Sequence, residues 1–257
     1  MFYPGRFTFL PTSLHIAISE TSFRDRQGKA QLLQDTVEGF SPVYAPTDTS
    51  INAANFQTTI DGADAANSNV ETLAGNYTTS ATQRVALVKM LGALITQALS
   101  YIKSNSNWSA HFKAAKMAAD KFRGIRPPKD TTPAQDPGDG TTPPTAEKKR
   151  NQGQRAYAEL VAHYQSFVNA ATSCSGYAPP STDISLMKLN EHLSTFKGLN
   201  QFITTLDGQL TTARTLRFRL YFAEAGLQKK FQSVKDAVKG QYGQNSAQFA
   251  AIKSIKW

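Results

Sequence analysis

The fold of this chain is decided by the stretch YAPTDTSI at residues 44–51, which returns as YAPPSTDI at residues 177–184, 133 positions later. At the same shift, residues 44–87 align with residues 177–220 without a gap. Such a match within one chain predicts that the protein is built from two similar units, because a repeated sequence favours a repeated supersecondary structure.

The aligned segments agree at the residues that shape helices and buried contacts. The identities in register include Asn67 with Asn200, Gly75 with Gly208, and Arg84 with Arg217. A later block, SAHFKAAK at residues 109–116, matches SAQFAAIK at residues 246–253 at a shift of 137. The shift between matching residues has grown by four, which is close to one helical turn.

Apolar residues recur at steps of three and four, which predicts helices buried along one side. In the first repeat the stripe consists of Phe56, Ile60, Ala63, Asn67, Val70, Ala74 and Tyr77. In the second it consists of Leu189, Leu193, Phe196, Asn200, Ile203, Asp207 and Leu210. The segment that follows in the first repeat has two apolar faces, so we expect it near the centre of a bundle. One face is Val85, Val88, Gly92, Ile95, Leu99 and Ile102; the other is Leu87, Leu91, Leu94, Ala98 and Tyr101.

Helix boundaries can be read from residues that cap or break helices. Pro46 and Pro179 prevent a continuous helix from the preceding segment, and Thr49 and Thr182 are predicted N-caps of the helices that follow.

Two glycines mark the expected ends of those helices. Gly75 and Gly208 suit the left-handed conformation found after a helix C-terminus, so each long apolar segment is predicted to be two helices. A single helix that continues through Gly75 is the alternative.

The predicted fold is all-α: a duplicated antiparallel helical bundle of two three-to-four-helix repeats with an extended N-terminal arm. Each repeat has a helix A (about 27–41 and about 146–173), long helices B and C, and a short helix D around Phe112 or Phe249. The predicted divisions are the arm at 1–26, repeat 1 at 27–123, a Pro/Thr/Gly-rich linker or loop at 124–145, and repeat 2 at 146–257.

The arm has no counterpart in the second repeat and is rich in aromatic residues. Phe2, Tyr3, Phe7 and Phe9 are candidate assembly residues, because an extended segment can dock on a neighbouring subunit. The alternative is an arm that lies on its own bundle.

Charge is distributed unevenly along the chain, whose formal net charge is +9. Residues 30–83 contain six acids and no Lys or Arg, whereas residues 84–129 and 214–257 are strongly basic. The candidate basic surface comprises Lys113, Lys116, Arg123, Arg126, Lys229, Lys230, Lys235 and Lys239.

Three interpretations of this pattern remain open. Acids of helices A and B pair with bases of C and D within the bundle, as weak surface ion pairs. Alternatively, the basic end of one molecule meets the acidic face of the next. In the third interpretation, the basic ends bind nucleic acid or an anionic membrane surface.

The sequence contains no strong catalytic or metal-binding motif. The four histidines lack the helical spacing of a zinc site, and Cys174 has no evident catalytic partner. We therefore expect no enzyme activity, no cofactor and no metal.

One polar group of residues suggests a specific role. Asn67 and Asn200 occupy stripe positions with apolar neighbours, where an amide must be paired. We expect them to fix the register of packed helices or to bond to Arg84 or Arg217, with a polar ligand site as the alternative.

The favoured function is a non-catalytic structural or scaffold protein that self-associates as a homo-oligomer or polymer. The alternative is a basic helical module that binds nucleic acid or an anionic membrane surface. The single cysteine favours a reducing, cytoplasmic location, and no stretch reaches about 18 uninterrupted apolar residues, so no transmembrane segment is expected.

Overall fold

The computed structural model describes residues 20–125 and 156–257, and within these ranges the regular structure is entirely helical. Three 3₁₀ turns, at Thr49–Ile51, Ser106–Trp108 and Thr182–Ile184, precede helices. The α-helices are α1 Glu20–Glu38, α2 Ala53–Ser104, α3 Ser109–Arg123, α4 Tyr157–Thr172, α5 Leu186–Phe222, α6 Leu227–Tyr242 and α7 Ala247–Lys253. The all-α class is therefore confirmed.

The chain forms two compact units that cut across the predicted repeats. Unit 1 is Met1–Ala74 with Gln209–Trp257, and unit 2 is Gly75–Gly208. Each unit thus contains the early helices of one predicted repeat and the late helices of the other.

The core of unit 1 joins α1 and the first part of α2 to the end of α5, α6 and α7. Its largest members are fully or almost fully buried. They include Phe23, Leu33, Phe56, Ile60, Tyr221, Leu227, Phe231, Val234 and Ile252.

The core of unit 2 joins the second part of α2 and α3 to α4 and the first part of α5. Its members include Leu91, Ile95, Ile102, Phe122, Tyr164, Phe167, Leu189, Leu193 and Phe196. Both cores are therefore closed by helices from both halves of the sequence.

The prediction that helices end at Gly75 and Gly208 is wrong, because α2 and α5 continue through these residues. The buried stripe stays in phase on either side of Gly75, with Val70 buried and Tyr77 half-buried. A glycine inside a helix costs about 1 kcal/mol relative to alanine. Burial of the flanking apolar residues outweighs that cost.

The predicted N-caps are displaced by three residues. Thr49 and Thr182 begin 3₁₀ turns, and the caps of α2 and α5 are Asn52 and Ser185. Asn52 Oδ1 accepts a hydrogen bond from the Asn55 amide at 2.8 Å, and Ser185 Oγ accepts one from Lys188 at 3.3 Å. Each proline is therefore followed by a helical turn before the long helix starts.

Helix α1 begins at Glu20, so residues 20–26 are not part of an extended arm as predicted. Phe23 explains the earlier start, because it lies seven residues before Ala30 on the same helical face and is buried against Tyr221. Periodicity missed this turn because Arg24 and Arg26 interrupt the apolar pattern. The remainder of the predicted arm and most of the predicted linker lie outside the described residues.

Burial follows the predicted stripes with two exceptions. Asp207 is exposed, and Leu206 is buried beside it; Val85 is 57% exposed. The stripes of the long helices are otherwise buried or half-buried and are confirmed.

The break between α5 and α6 falls where the two halves differ in length. Buried residues of α2 match those of α6 at a shift of 136: Leu91 with Leu227, Ile95 with Phe231, Ala98 with Val234 and Ile102 with Val238. At Gly226 an added Cβ would lie 2.9 Å from the Ala223 carbonyl oxygen, so only glycine fits this turn without a shift. The shift between matching residues grows from 133 to 136 here, so the second half contains three extra residues. The break between α5 and α6 accommodates them and keeps the apolar face of α6 in the unit 1 core.

Helix α2 is long and apolar enough to span a bilayer by length and composition, with a best 18-residue window of mean hydropathy 1.6. In the described structure 28% of that window is buried. A single helix with this length and composition is weak evidence for a membrane span.

Replacing Gly75 or Gly208 by alanine tests the continuity of the long helices. Neither glycine has an atom within 4 Å of an added Cβ, so each alanine is expected to stabilise the fold by about 0.5–1 kcal/mol. Urea unfolding followed by circular dichroism measures the change. The matched control is Gly176→Ala, which should destabilise, because Gly176 has φ +73°. Destabilisation by alanine at Gly75 would indicate a left-handed helix end there.

Candidate functional site

In unit 1, Asn67 connects three helices through the hydroxyl group of Tyr221. Asn67 Nδ2 donates to Tyr221 Oη at 2.8 Å, and Tyr221 Oη donates to the Phe23 carbonyl at 3.0 Å. All three residues are buried, and burial raises the pKa of Tyr221, so its hydroxyl remains protonated. The amide oxygen of Asn67 is buried without a hydrogen-bond partner in the described part of the chain.

Beside this group, an arginine clamp holds α1 to α2. Arg24 forms two hydrogen bonds to Glu71, at 2.8 and 2.9 Å, and also pairs with Asp64. Arg217 lies over the Phe23 ring, with its guanidinium carbon 4.0 Å from the ring centroid. The hydrogen bonds from Arg24 lower the pKa of Glu71, with smaller contributions from the charges of Arg24 and Arg217.

In unit 2, the corresponding arginine and asparagine bond directly. Arg84 Nη1 donates to Asn200 Oδ1 at 3.0 Å, and the guanidinium carbon lies 3.5 Å from the centroid of the Tyr157 ring. Arg84 Nε is buried and has no hydrogen-bond partner among residues 20–125 and 156–257. The sequence anticipated an Asn–Arg bond, and the structure brings these two residues together.

A groove of about 950 Å³ opens beside Arg84 within unit 2. Three of its lining side chains are cationic: Arg84, Lys89 and Arg123. Its apolar walls include Val85, Val88 and Leu160, and Tyr77 and Tyr157 add aromatic surface. Within the described ranges, the lining contains no carboxylate. This combination can hold an anion that also carries an apolar body.

Only part of the predicted basic surface is free to bind another molecule. Lys116 pairs with Asp120 at 2.6 Å, and Lys230 donates to Thr59 Oγ1 at 2.7 Å. Lys235 donates to the Ile255 carbonyl at 2.7 Å, which ties α6 to the chain after α7. These three lysines have structural partners.

The other predicted basic residues divide between the groove and the open surface. Arg123 lines the groove and donates to Thr96 Oγ1 at 2.7 Å. Lys113, Lys229 and Lys239 are exposed. Arg126 and the predicted arm residues Phe2, Tyr3, Phe7 and Phe9 lie outside the described residues.

Cys174 is 2% exposed, and burial raises the pKa of its thiol, which disfavours the thiolate form. Its Sγ lies 3.5 Å from the Ala170 carbonyl oxygen. Among the described residues, no three His, Cys, Asp or Glu side chains are grouped so as to hold a metal ion.

Sequence reasoning missed four residues that complete these arrangements: Arg24, Tyr157, Lys89 and Tyr221. Arg24 and Tyr157 lie before the segments that align at a shift of 133, so the repeat did not identify them. Lys89 and Tyr221 lie after those segments, on helices whose partners come from the other half of the chain.

Comparison with protein-family models, with curated protein sequences and with solved structures gives no match.

The hydrogen bond between Asn67 and Tyr221 can be tested with a double-mutant cycle. Tyr221→Phe should destabilise by about 1–3 kcal/mol, because the Phe23 carbonyl loses its donor and the Asn67 amide loses its acceptor. Combined with Asn67→Ala, we expect a coupling energy of about 1 kcal/mol by urea unfolding. Tyr177→Phe, which removes a 2.9 Å bond to the Ile184 carbonyl in unit 2, should show no coupling to Asn67→Ala. Equal coupling in both cycles would contradict the assignment.

The charge of Glu71 is expected to make the stability of the fold depend on pH, and the direction follows from its pKa. Its pKa is lowered in the folded state, so its stabilisation is present above the pKa of the unfolded chain, about 4.3. That stabilisation is lost as pH falls through the lower, folded-state pKa. The stability difference between the wild type and Glu71→Gln should therefore be larger at pH 7 than at pH 3, as measured by urea unfolding. A difference that does not change with pH would show that the charge of Glu71 does not contribute.

Proposed function

We propose that this protein is a non-catalytic structural protein that self-associates through its long helices. The observation that supports this most directly is a pair of large apolar side chains left in solvent on α5. Leu216 and Leu220, both in the unit 1 part of this helix, are 53% and 41% exposed. They lie four residues apart and therefore share one face of the helix. Apolar side chains aligned in this way favour a protein contact.

The occupant that we propose for this face is a second copy of the chain. A second copy supplies both an acid-rich segment, at residues 30–83, and basic segments, at residues 84–129 and 214–257. Complementary charge of this kind orients two molecules and selects one partner over others.

We also infer that the two halves are copies of one helical repeat. The Tyr44 hydroxyl donates to the Ile51 carbonyl at 3.2 Å, and the Tyr177 hydroxyl donates to the Ile184 carbonyl at 2.9 Å. The helix caps Asn52 and Ser185 keep the same spacing of 133. These local geometries support a duplication, and a duplicated chain offers two similar surfaces for assembly.

Self-association is tested by the mass of the particles in solution. Sedimentation velocity should show particles heavier than the 28.1 kDa chain, and the mass should fall as salt rises if charge orients the contact. The double variant Leu216→Gln/Leu220→Gln should return the protein to the single-chain mass with unchanged helicity. Leu32→Gln, at a position 54% exposed on α1, is the matched control and should leave the mass unchanged.

Deletion of residues 1–10 in the same experiment tests the predicted assembly arm, and it should also lower the mass. A wild-type protein that stays at the single-chain mass at every concentration would contradict the proposal.

The second candidate function is a basic module that binds nucleic acid or an anionic membrane surface. One observation favours it: Lys113, Lys229 and Lys239 are exposed and bind no partner in the part of the chain that the structure describes. A salt-sensitive mobility shift with arbitrary DNA, shown by a protein that remains at the single-chain mass, would favour this function over self-association.

A further inference from the structure

The groove of unit 2 carries positive charge that the described residues do not neutralise. Lys89 is exposed and forms no hydrogen bond or ion pair with residues 20–125 or 156–257. Arg84 bonds to the neutral oxygen of Asn200, and its Nε is buried without a hydrogen-bond partner within those ranges. Arg84 therefore keeps donors that an anionic acceptor in the groove could use.

In unit 1, the arginine that matches Arg84 has different neighbours. There, Arg217 occupies the place of Arg84 in the 133-residue register, and Asn67 occupies the place of Asn200. Glu71 lies one helical turn after Asn67, pairs with Arg24, and has a pKa lowered in part by the charge of Arg217. In unit 1, Glu71 therefore bonds to Arg24, and Arg217 has this carboxylate near enough for its charge to act on it.

Unit 2 has lost both acids while it has kept the arginine. In the same register Asp64 corresponds to Lys197, and Glu71 corresponds to Thr204.

The buried residues of α1 and α4 match at a shift of 134, as Leu33 matches Phe167, so Phe23 corresponds to Tyr157 and Arg24 to Ala158. The two rings lie against the repeated arginines, Phe23 against Arg217 and Tyr157 against Arg84, and neither ring adds charge. The guanidinium of Arg84 thus lies in a groove whose described lining is cationic, whereas its counterpart Arg217 has the carboxylate of Glu71 nearby.

We propose that the unit 2 groove binds an amphipathic organic carboxylate, whose charged group is held by Arg84, Lys89 and Arg123 and whose apolar body lies on Val85, Val88 and Leu160. A volume of about 950 Å³ accommodates a ligand of this class. Arginine and lysine bind carboxylates through charge-assisted hydrogen bonds, which are stronger than neutral ones. The comparison of the two units rests on the proposed duplication, whereas the ligand site does not require self-association.

The test uses 1-pyrenebutyrate as a fluorescent carboxylate and 1-pyrenebutanol as its neutral counterpart. The full-length protein should bind the carboxylate about tenfold more tightly than the alcohol, because only the carboxylate pairs with the cationic side chains. The affinity is measured by titration at a protein concentration where the particle mass is constant, so that it is independent of assembly.

Two variants remove features of the groove without disturbing the core. Lys89→Met should weaken pyrenebutyrate binding severalfold and leave the alcohol unaffected. Gly92 lines the groove, and an added Cβ there meets no atom within 4 Å, so Gly92→Leu should fill the groove and weaken both ligands. Lys229→Met, which changes an exposed lysine of unit 1, is the control and should change neither affinity.

The most specific variant places in unit 2 an acid that matches Glu71 of unit 1. Thr204→Glu places a carboxylate one turn after Asn200, as Glu71 follows Asn67, and should weaken pyrenebutyrate binding about tenfold. Thr205→Glu makes the same change of charge one residue further on α5, and Thr205 is also exposed. This control should retain most of the affinity.

Equal affinity of the wild type for the carboxylate and the alcohol would overturn the proposal. So would carboxylate binding that is unchanged by Lys89→Met, by Gly92→Leu and by Thr204→Glu. A loss of affinity that is the same in Thr204→Glu and Thr205→Glu would show a general charge effect and would also overturn the site. None of these three results bears on the particle mass, so failure here is separate from failure of the proposed self-association.

Discussion

The structure depends on the burial of one continuous apolar stripe along each of two long helices. Because α2 and α5 each run through a glycine without a break, each contributes one part to unit 1 and the other part to unit 2. The short helices then complete the cores: α1, α6 and α7 in unit 1, and α3 and α4 in unit 2. Neither half of the sequence contains all the helices of one core, so the two halves stabilise each other.

Polar residues in these stripes are tolerated because aromatic rings and hydrogen bonds surround them. Arg217 lies over Phe23 and Arg84 lies over Tyr157, and cation–π contact of this kind offsets part of the cost of removing a guanidinium from water. The two units differ in the acids near the repeated arginine. In unit 1, Glu71 bonds to Arg24 and its pKa is lowered by Arg24 and, to a smaller extent, by the charge of Arg217. The described part of unit 2 offers Arg84 only a neutral amide and a ring. That difference is the basis for treating unit 2, rather than unit 1, as the candidate ligand-binding unit.

Much of the fold could be predicted from the sequence, because helical periodicity reports directly which face is buried. The stripe from Phe56 to Tyr77 and the two faces of the segment around Leu91 are examples. Local signals were less reliable: Gly75 reads as a helix end, but burial on both sides of it favours a continuous helix. Which helices pack together could not be predicted, because an apolar stripe shows which face of a helix is buried but not which helix covers it. The residues around Arg84 illustrate both points. Asn200 and Arg84 could be identified from the sequence, whereas Tyr157 and Lys89 became evident only from the packing.

The most direct test of this account is whether either half of the chain folds alone. Residues 1–125 and 126–257 can be prepared as separate chains and examined by thermal unfolding with circular dichroism, apart and mixed in equal amounts. The account predicts that neither chain alone unfolds cooperatively, because each lacks helices from both cores, and that mixing restores a cooperative transition. A cooperative transition with full helicity in either chain alone would contradict the claim that the cores are shared between the halves.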